Sequence, residues 1–292
     1  MSQLLRTVLI PAAGQGTRLL PLTKTTPKEL LPAYDRPVLQ FAIDEAVATG
    51  AERIVIVIHP SKSVIRDYLR HNDLFIRRLQ KDGKSDLADL MSEAGPPDDV
   101  EILYAIQDQP LGLGHAIGCC RGLVLPGPIG VILPDDVIFG TPCLAEMAAD
   151  YVSGHMVAAM EVPPSETYKY GIFNPNGPLR HRCLPVNGMV EKPAAGHAPS
   201  TLAAVGRYIL DPAIMATVAK TPPGSGNEVQ LTDAISHDAQ AMALTAYLFS
   251  GIRHDCGSLD GLLAAGMARR AMLHSSPSEW QNDIQMSGAA AE

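Results

Sequence analysis

Residues 9–37 read LIPAAGQGTRLLPLTKTTPKELLPAYDRP. The apolar run at 7–12 has the composition of a strand. It breaks into Gly14-Gln15-Gly16, a turn in which glycine lets backbone N–H groups approach an anion. A nucleotide-binding fold normally starts a helix here. Instead Pro21, Pro27, Pro32 and Pro37 follow, fixing φ and keeping the chain out of helix. Two known phosphate motifs fail: the third glycine of a Rossmann turn is replaced by Leu19, and GQGTRLL supplies no Walker Gly-Lys-Ser/Thr. What remains is a stiff loop with Arg18, Lys24 and Lys28 ahead of its first carboxylate, Glu29. Such a loop suits a triphosphate, because it stabilises phosphoryl charge without reorganising. A surface loop with incidental basic residues is the alternative on composition alone.

Outward from this loop, strands and helices alternate. RTVLIPAA, RIVIVIH, VEILYAI and IGVILPDD read as strands; PVLQFAIDEAVATG and GHAIGCCRGLV read as helices. The strands are near-continuous Val/Ile/Leu runs, as expected of parallel strands covered on both faces, and the order predicts a doubly wound α/β sheet. The charged stretch between the second and third strands has a helical period and is expected to form an insertion at about 60–96, over the sheet edge. After about residue 150, HMVAAMEV, YGIFN, GMVEKP, LAAVGRYIL and LTAYLFS read as strands. DPAIMATVAK, VQLTDAISHDAQA and GLLAAGMARRAML read as helices. The polar, small-residue stretch 276–292 is expected to be a flexible tail.

The chain has 292 residues and is 46% hydrophobic, enough for one large domain or two small ones with a substantial core. A net charge of −8 argues against a nucleic-acid polymer as partner but leaves room for a single nucleotide. No run has the apolar length of a membrane span, and the first strand begins too early for a signal peptide, so the cytoplasm is the expected compartment. The five cysteines are odd in number and lack a CxxC, which predicts buried free thiols rather than zinc or disulfides.

Residues 12–50 resemble the signature of the sugar-1-phosphate nucleotidylyltransferases. QDQPLGLGHAI, ILPDDVIFG, VEKP with AVGRYIL, GNEVQLTDAI and HDCGS match the same family in order, so the resemblance covers roughly residues 5–273. Within the family, the chain is most similar to the branch that uses UTP and glucose 1-phosphate. The resemblance implies a Rossmann-like, doubly wound mixed sheet of the glycosyltransferase-A-like type, with a small sugar-binding subdomain. It implies one nucleotidyltransferase domain over 1–275, divided into a nucleotide-binding half (5–150) and a sugar-phosphate-binding half (151–275). The implied reaction is Mg²⁺-dependent: the sugar phosphate attacks the α-phosphorus of UTP in line, giving UDP-glucose and pyrophosphate. A homodimer or homotetramer is the expected assembly.

Roles follow residue by residue. Asp135 and Asp255 match the metal carboxylates, and Asp136 is expected near nucleotide or sugar. Side chains alternate along a strand, so one of the two adjacent carboxylates is expected to face the cleft. Arg18 and Lys28 match the cations on the triphosphate and leaving pyrophosphate. Backbone from Ala12, Ala13 and Gly14 is expected against the base, with Gly16 and Thr17 completing the nucleotide turn. Gln107 and Gly112 stand where the family reads the pyrimidine; an amide offers both donor and acceptor to the uracil edge. Lys192 matches a sugar-phosphate ligand and Glu191 a partner of sugar hydroxyls, although a surface Glu-Lys pair is also open. Gly171, Gly206 and Glu228 are expected around the sugar; N-capping is the alternative for Glu228.

One departure stands out. Leu259 replaces a lysine that usually follows the DCG motif, and CGSLDGLL has the form found in thymidylyltransferases. Either the site has lost one phosphate contact or a compensating cation fills the gap, with Lys169 and Arg207, both beside sugar-pocket motifs, as the candidates. The alternatives are therefore a dTDP-glucose or other nucleotide-sugar pyrophosphorylase, acting for example on an amino sugar or galactose, and a weakly active regulatory paralogue. Thr17-Arg18, Asp136 and Glu228, which degenerate relatives lose, are all present and favour a working enzyme.

Overall fold

The computed structural model describes residues 5–274; the expected tail at 276–292 lies outside them. Strand β1 (Thr7–Pro11) pairs in parallel with β2 (Arg53–Ile58), and β2 with β3 (Glu101–Ile106). On its other side β1 pairs in parallel with β4 (Ile129–Ile132). These are the parallel strands the apolar runs predict. The side chains of Leu9, Val55, Val57 and Val131 enter one core, and those of Val8, Ile10, Ile54, Ile56 and Ile132 enter another on the opposite face. Such alternation is what a strand buried on both faces requires.

Beyond β4 the sheet becomes mixed. After a short strand β5 (Asp136–Phe139) come β6 (His155–Glu161), β7 (Gly171–Pro175), β8 (Cys183–Glu191), β9 (Leu202–Leu210) and β10 (Leu244–Leu248). The nine-stranded order is β3-β2-β1-β4-β9-β6-β10-β8-β7, with β9 antiparallel to both β4 and β6. A second sheet of two strands joins β5 to β11 (Ile252–Asp255).

Helix α1 (Val38–Ala48) starts only after Pro37, so 12–37 contains three short 3-10 turns and no α-helix, as the prolines predict. The expected insertion is helical: α2 (Val64–Leu69), α3 (Asp73–Lys81) and α4 (Ser85–Ser92) lie between β2 and β3. Helix α5 (Leu113–Gly118) is shorter than expected and leaves Cys119 and Cys120 beyond its end. Cys120, Cys143 and Cys256 are buried free thiols, and Cys119 and Cys183 are half-buried. The later helices are α6 (Cys143–Asp150), α7 (Ile214–Val218), α8 (Leu231–Asp238) and α9 (Leu259–His274). Ala265 of α9 packs with Val137, Phe139 and Val38, which fastens the two-stranded sheet beside the proline-rich loop. No helix of the described residues is long and apolar enough to cross a membrane.

Candidate functional site

The chain does not simply end a strand at the paired carboxylates. Strand β4 stops at Ile132, Asp135 lies in the following turn, and Asp136 opens β5. The two side chains therefore diverge because one belongs to a turn, not through alternation along one strand. The β5–β11 register sets Asp136 opposite Asp255, and Cys256 N–H donates to the Asp135 carbonyl at 2.8 Å. Two carboxylates from distant parts of the chain thus meet.

The cationic loop meets them. Lys28 Nζ donates to Asp135 Oδ2 at 2.5 Å, and Arg18 lies 3.4 Å from Asp255 Oδ2 and 4.0 Å from Asp135 Oδ2. Burial pushes the Asp135 carboxyl upward, but the charge and hydrogen bond of Lys28 outweigh it and hold the group below its ordinary range. For Lys28, burial works against the ammonium, and the charges of Asp135 and Glu29 raise it nonetheless. Two carboxylates already converging on one guanidinium form a hard-oxygen donor set. Among the described residues no third His, Cys, Asp or Glu joins them. That fits a divalent cation which keeps waters and takes substrate phosphate oxygens as its other ligands.

A buried lysine not singled out by the sequence sits behind the glycine turn. Lys62 Nζ donates to the Ala12 carbonyl at 2.8 Å, to the Gly14 carbonyl at 2.6 Å and to Glu29 at 2.8 and 3.0 Å. Gly16 has φ 68°, which favours glycine, and its carbonyl accepts from Thr23 Oγ1 at 2.8 Å. Thr17 opens the first 3-10 turn.

The loop that carries Gln107 and Gly112 is fixed from the other side. Gly114 N–H donates to the Val229 carbonyl and Val229 N–H to the Leu111 carbonyl, both at 2.8 Å. Gly112 has φ 92°, and a Cβ there would lie 2.7 Å from Glu228 Cβ, so close packing of the two loops requires glycine. Gln107 corrects an expectation. Its Nε2 is committed to the Gly112 carbonyl at 3.1 Å and to His115 Nδ1 at 3.0 Å. Among the described residues only its Oε1 remains for a ligand, so the side chain offers an acceptor rather than both halves of an amide.

The expected sugar residues line one cavity of about 250 Å³, which takes in Gly171, Glu191, Lys192, Gly206, Glu228 and Asp136. Glu191 Oε2 accepts from Thr232 Oγ1 at 3.1 Å, and Lys192, at φ 44°, stands 3.5 Å from Glu191. Gly206 N–H donates to Asp136 Oδ2 at 2.8 Å, and no side chain fits there: a Cβ would meet Leu133 at 2.6 Å. The other Asp136 oxygen accepts from Arg253 Nε at 2.7 Å. Burial raises the Asp136 carboxyl despite that arginine. Arg253 lines the cavity and stacks over Tyr170. Its position in the alternating stretch IRHD, two residues before Asp255, was the available signal.

Arg207 is not a compensating phosphate cation. It is 2% exposed, and its five N–H groups meet five oxygens: two of Glu45 and the carbonyls of Leu133, Gly206 and Asp136. It holds the turn that carries Asp135. Lys169 lines the cavity and pairs with Glu166 at 2.9 Å. Leu259 is the first residue of α9 and 54% exposed.

Comparison with known proteins places this architecture. The nucleotidyl transferase family model matches residues 7–271. UTP–glucose-1-phosphate uridylyltransferase of Bacillus subtilis (strain 168) is 39% identical over 261 residues, 88% of this chain and 88% of that protein. The Escherichia coli (strain K12) protein of the same name is 39% identical over 266 residues, 88% of this chain and 87% of its own. A crystal structure of UDP-glucose pyrophosphorylase complexed with UDP-glucose superimposes with a TM-score of 0.80 at 37% identity, covering 91% of this chain and 99% of that one. The UTP-bound enzyme of Acinetobacter baumannii gives 0.84 at 34% identity, covering 96% and 98%.

Proposed function

The chain belongs to the nucleotidyl transferase family, and from that premise we propose that it transfers the uridylyl group of UTP to glucose 1-phosphate, forming UDP-glucose and pyrophosphate. The observation that carries the reading is a juxtaposition. A cluster of two carboxylates and two cations, Asp135, Asp255, Lys28 and Arg18, stands beside a polar cavity lined by Glu191, Lys192 and Glu228. The division of labour between 5–150 for the nucleotide and 151–275 for the sugar phosphate is part of the reading.

A phosphate oxygen of glucose 1-phosphate attacks the α-phosphorus of UTP, the new P–O bond forms, and the electrons of the α–β bridge leave with pyrophosphate. Displacement of this kind needs placement and charge more than covalent help. Lys28 and Arg18 face the triphosphate and offset charge that builds on the leaving group. Lys192 holds the attacking phosphate, and Glu191 orients the sugar through its hydroxyls. Backbone at 12–14 and Gln107 Oε1, the latter accepting from uracil N3–H, hold the base. Asp135 and Asp255 would hold Mg²⁺, which when bound supplies electrostatic stabilisation to the crowded phosphates. The cytoplasm, where nucleoside triphosphates are held, is the setting this reading requires. A homodimer or homotetramer accompanies it; sedimentation as a monomer at micromolar concentration overturns that part.

The test is a panel of UTP, dTTP, CTP, ATP and GTP against glucose, galactose and glucosamine 1-phosphates, read by pyrophosphate release and product mass. UTP with glucose 1-phosphate is expected to have the highest kcat/KM. A higher value for dTTP overturns the base assignment, and no turnover with any pair overturns the enzyme.

A further inference from the structure

Lys62 takes no part in the chemistry above, yet it is buried beside the site and its donors are all spent on the site's framework. An ammonium has three N–H groups. Here they go to the carbonyls of Ala12 and Gly14 and to the carboxylate of Glu29. In a trans peptide the C=O and the following N–H point opposite ways. Holding those two carbonyls therefore turns the N–H groups of Ala13 and Gln15 away from Lys62. Neither N–H donates to any group among the described residues. Two unpaired donors on alternate residues then face the same side, where an anion can accept from both.

The second anchor is as specific. Glu29 is 1% exposed and follows Lys28 in the same 3-10 turn, Lys28–Leu30. Lys28 reaches forward to Asp135, while Glu29 reaches back to Lys62. We propose that Lys62, with Glu29, is a positioning residue for the nucleoside triphosphate: it ties the glycine turn to the cationic loop so that the two free N–H groups and the Lys28 ammonium stand at a fixed separation before the nucleotide arrives. The inference rests on the nucleotide reading given above.

The energetics agree with a positioning role. Burial pushes the Glu29 carboxyl above its ordinary range and the Lys62 ammonium below its own, with each partner only partly restoring the other. A buried pair of this kind adds little to folding stability, and a neutral replacement of similar size is often no less stable.

The experiment uses the full chain carrying Lys62→Met and Glu29→Gln together, which removes both charges and leaves neither unpaired. Its Tm is expected to stay within about 5 °C of the wild type, the carbonyls that Lys62 leaves unpaired offsetting the gain from removing two buried charges. Calorimetric titration should show UTP affinity reduced about tenfold, the size of the penalty for ordering a backbone residue. KM for UTP should rise in parallel, while KM for glucose 1-phosphate stays within about twofold. A Tm lowered by more than that with unchanged UTP affinity makes the pair a stability element and overturns the proposal, as does an equal rise in both KM values. If the wild type binds UTP but makes no UDP-glucose, the functional reading falls while the titration still decides the role of Lys62. A wild type that binds no UTP overturns both.

Discussion

The proposed nucleotide and sugar sides of the site hold their charges differently. On the nucleotide side, Lys28 is 17% exposed and bonded to Asp135 at 2.5 Å, and Lys62 and Glu29 are buried behind it. On the sugar side, Lys192 is 61% exposed, stands 3.5 Å from Glu191, and has water as an alternative partner. Removing one member of a buried pair leaves the other uncompensated, whereas an exposed charge falls back on solvent. On the proposed assignment, the nucleotide side is therefore set in advance and the sugar side is assembled by its ligand.

The sharpest way to break this contrast is Asp135→Asn. The change leaves Lys28 without its carboxylate and removes one of the two expected metal ligands, so kcat should fall by about 10²-fold or more. Chelation by EDTA should abolish turnover; unchanged rates in EDTA would remove the metal from the mechanism. The same variant tests the electrostatics. A depressed carboxyl contributes stability above its unfolded pKa and loses it as pH falls through the folded value. The Tm advantage of the wild type over Asp135→Asn should therefore be flat from neutral pH down to about 4 and shrink below that.

Lys28→Ala comes next. A charge-assisted bond in a desolvated site is worth about 1.5–3 kcal/mol, or roughly 10- to 150-fold in kcat/KM. Both a higher KM for UTP and a lower kcat are expected, because the cation acts on ground and transition states together. A shift in the sugar-phosphate KM alone would place Lys28 on the wrong substrate.

Lys192→Ala should cost less, about fivefold in kcat/KM, through the KM for glucose 1-phosphate and with the KM for UTP unmoved. A loss equal to that of Lys28→Ala would erase the contrast between the halves.

How much of this was legible depended on where the chemistry sat. Arg18 and Lys28 draw notice because a strand, a glycine turn and a run of prolines leave a local trace, whereas Asp135 is singled out through the resemblance of ILPDDVIFG. The Val/Ile/Leu runs gave the parallel half of the sheet for the same reason. Strands β5 and β11 were missed: each has four residues, too few for a period to register, and their pairing across the chain is what brings Asp255 to Asp135. Lys62 in HPSKS looks like a surface cation and Arg207 in VGRY like a phosphate ligand, since a sequence does not show that their partners are backbone carbonyls. For Gln107, which half of the amide stays free depends on the fold of its loop.

The smallest effect is expected at Leu259, and it refines the sugar side. A lysine there was expected to restore a missing phosphate contact, with Lys169 or Arg207 as compensators. The structure removes Arg207, whose donors are all occupied, and brings forward Arg253, which lines the cavity with one edge bonded to Asp136. Leu259 is exposed at the start of α9, where a lysine would be solvated. An exposed charge is worth about 0–1 kcal/mol, so Leu259→Lys should change kcat/KM by no more than about fivefold. In an Arg253→Met background the same substitution should recover more, because the cavity then has one cation fewer, Lys169 and Lys192 being those that remain. A tenfold gain from Leu259→Lys in the wild type would show that the phosphate reaches residue 259 and that Arg253 does not serve it. No gain in either background would place Leu259 outside the site and leave Lys169 and Lys192 to carry the sugar phosphate.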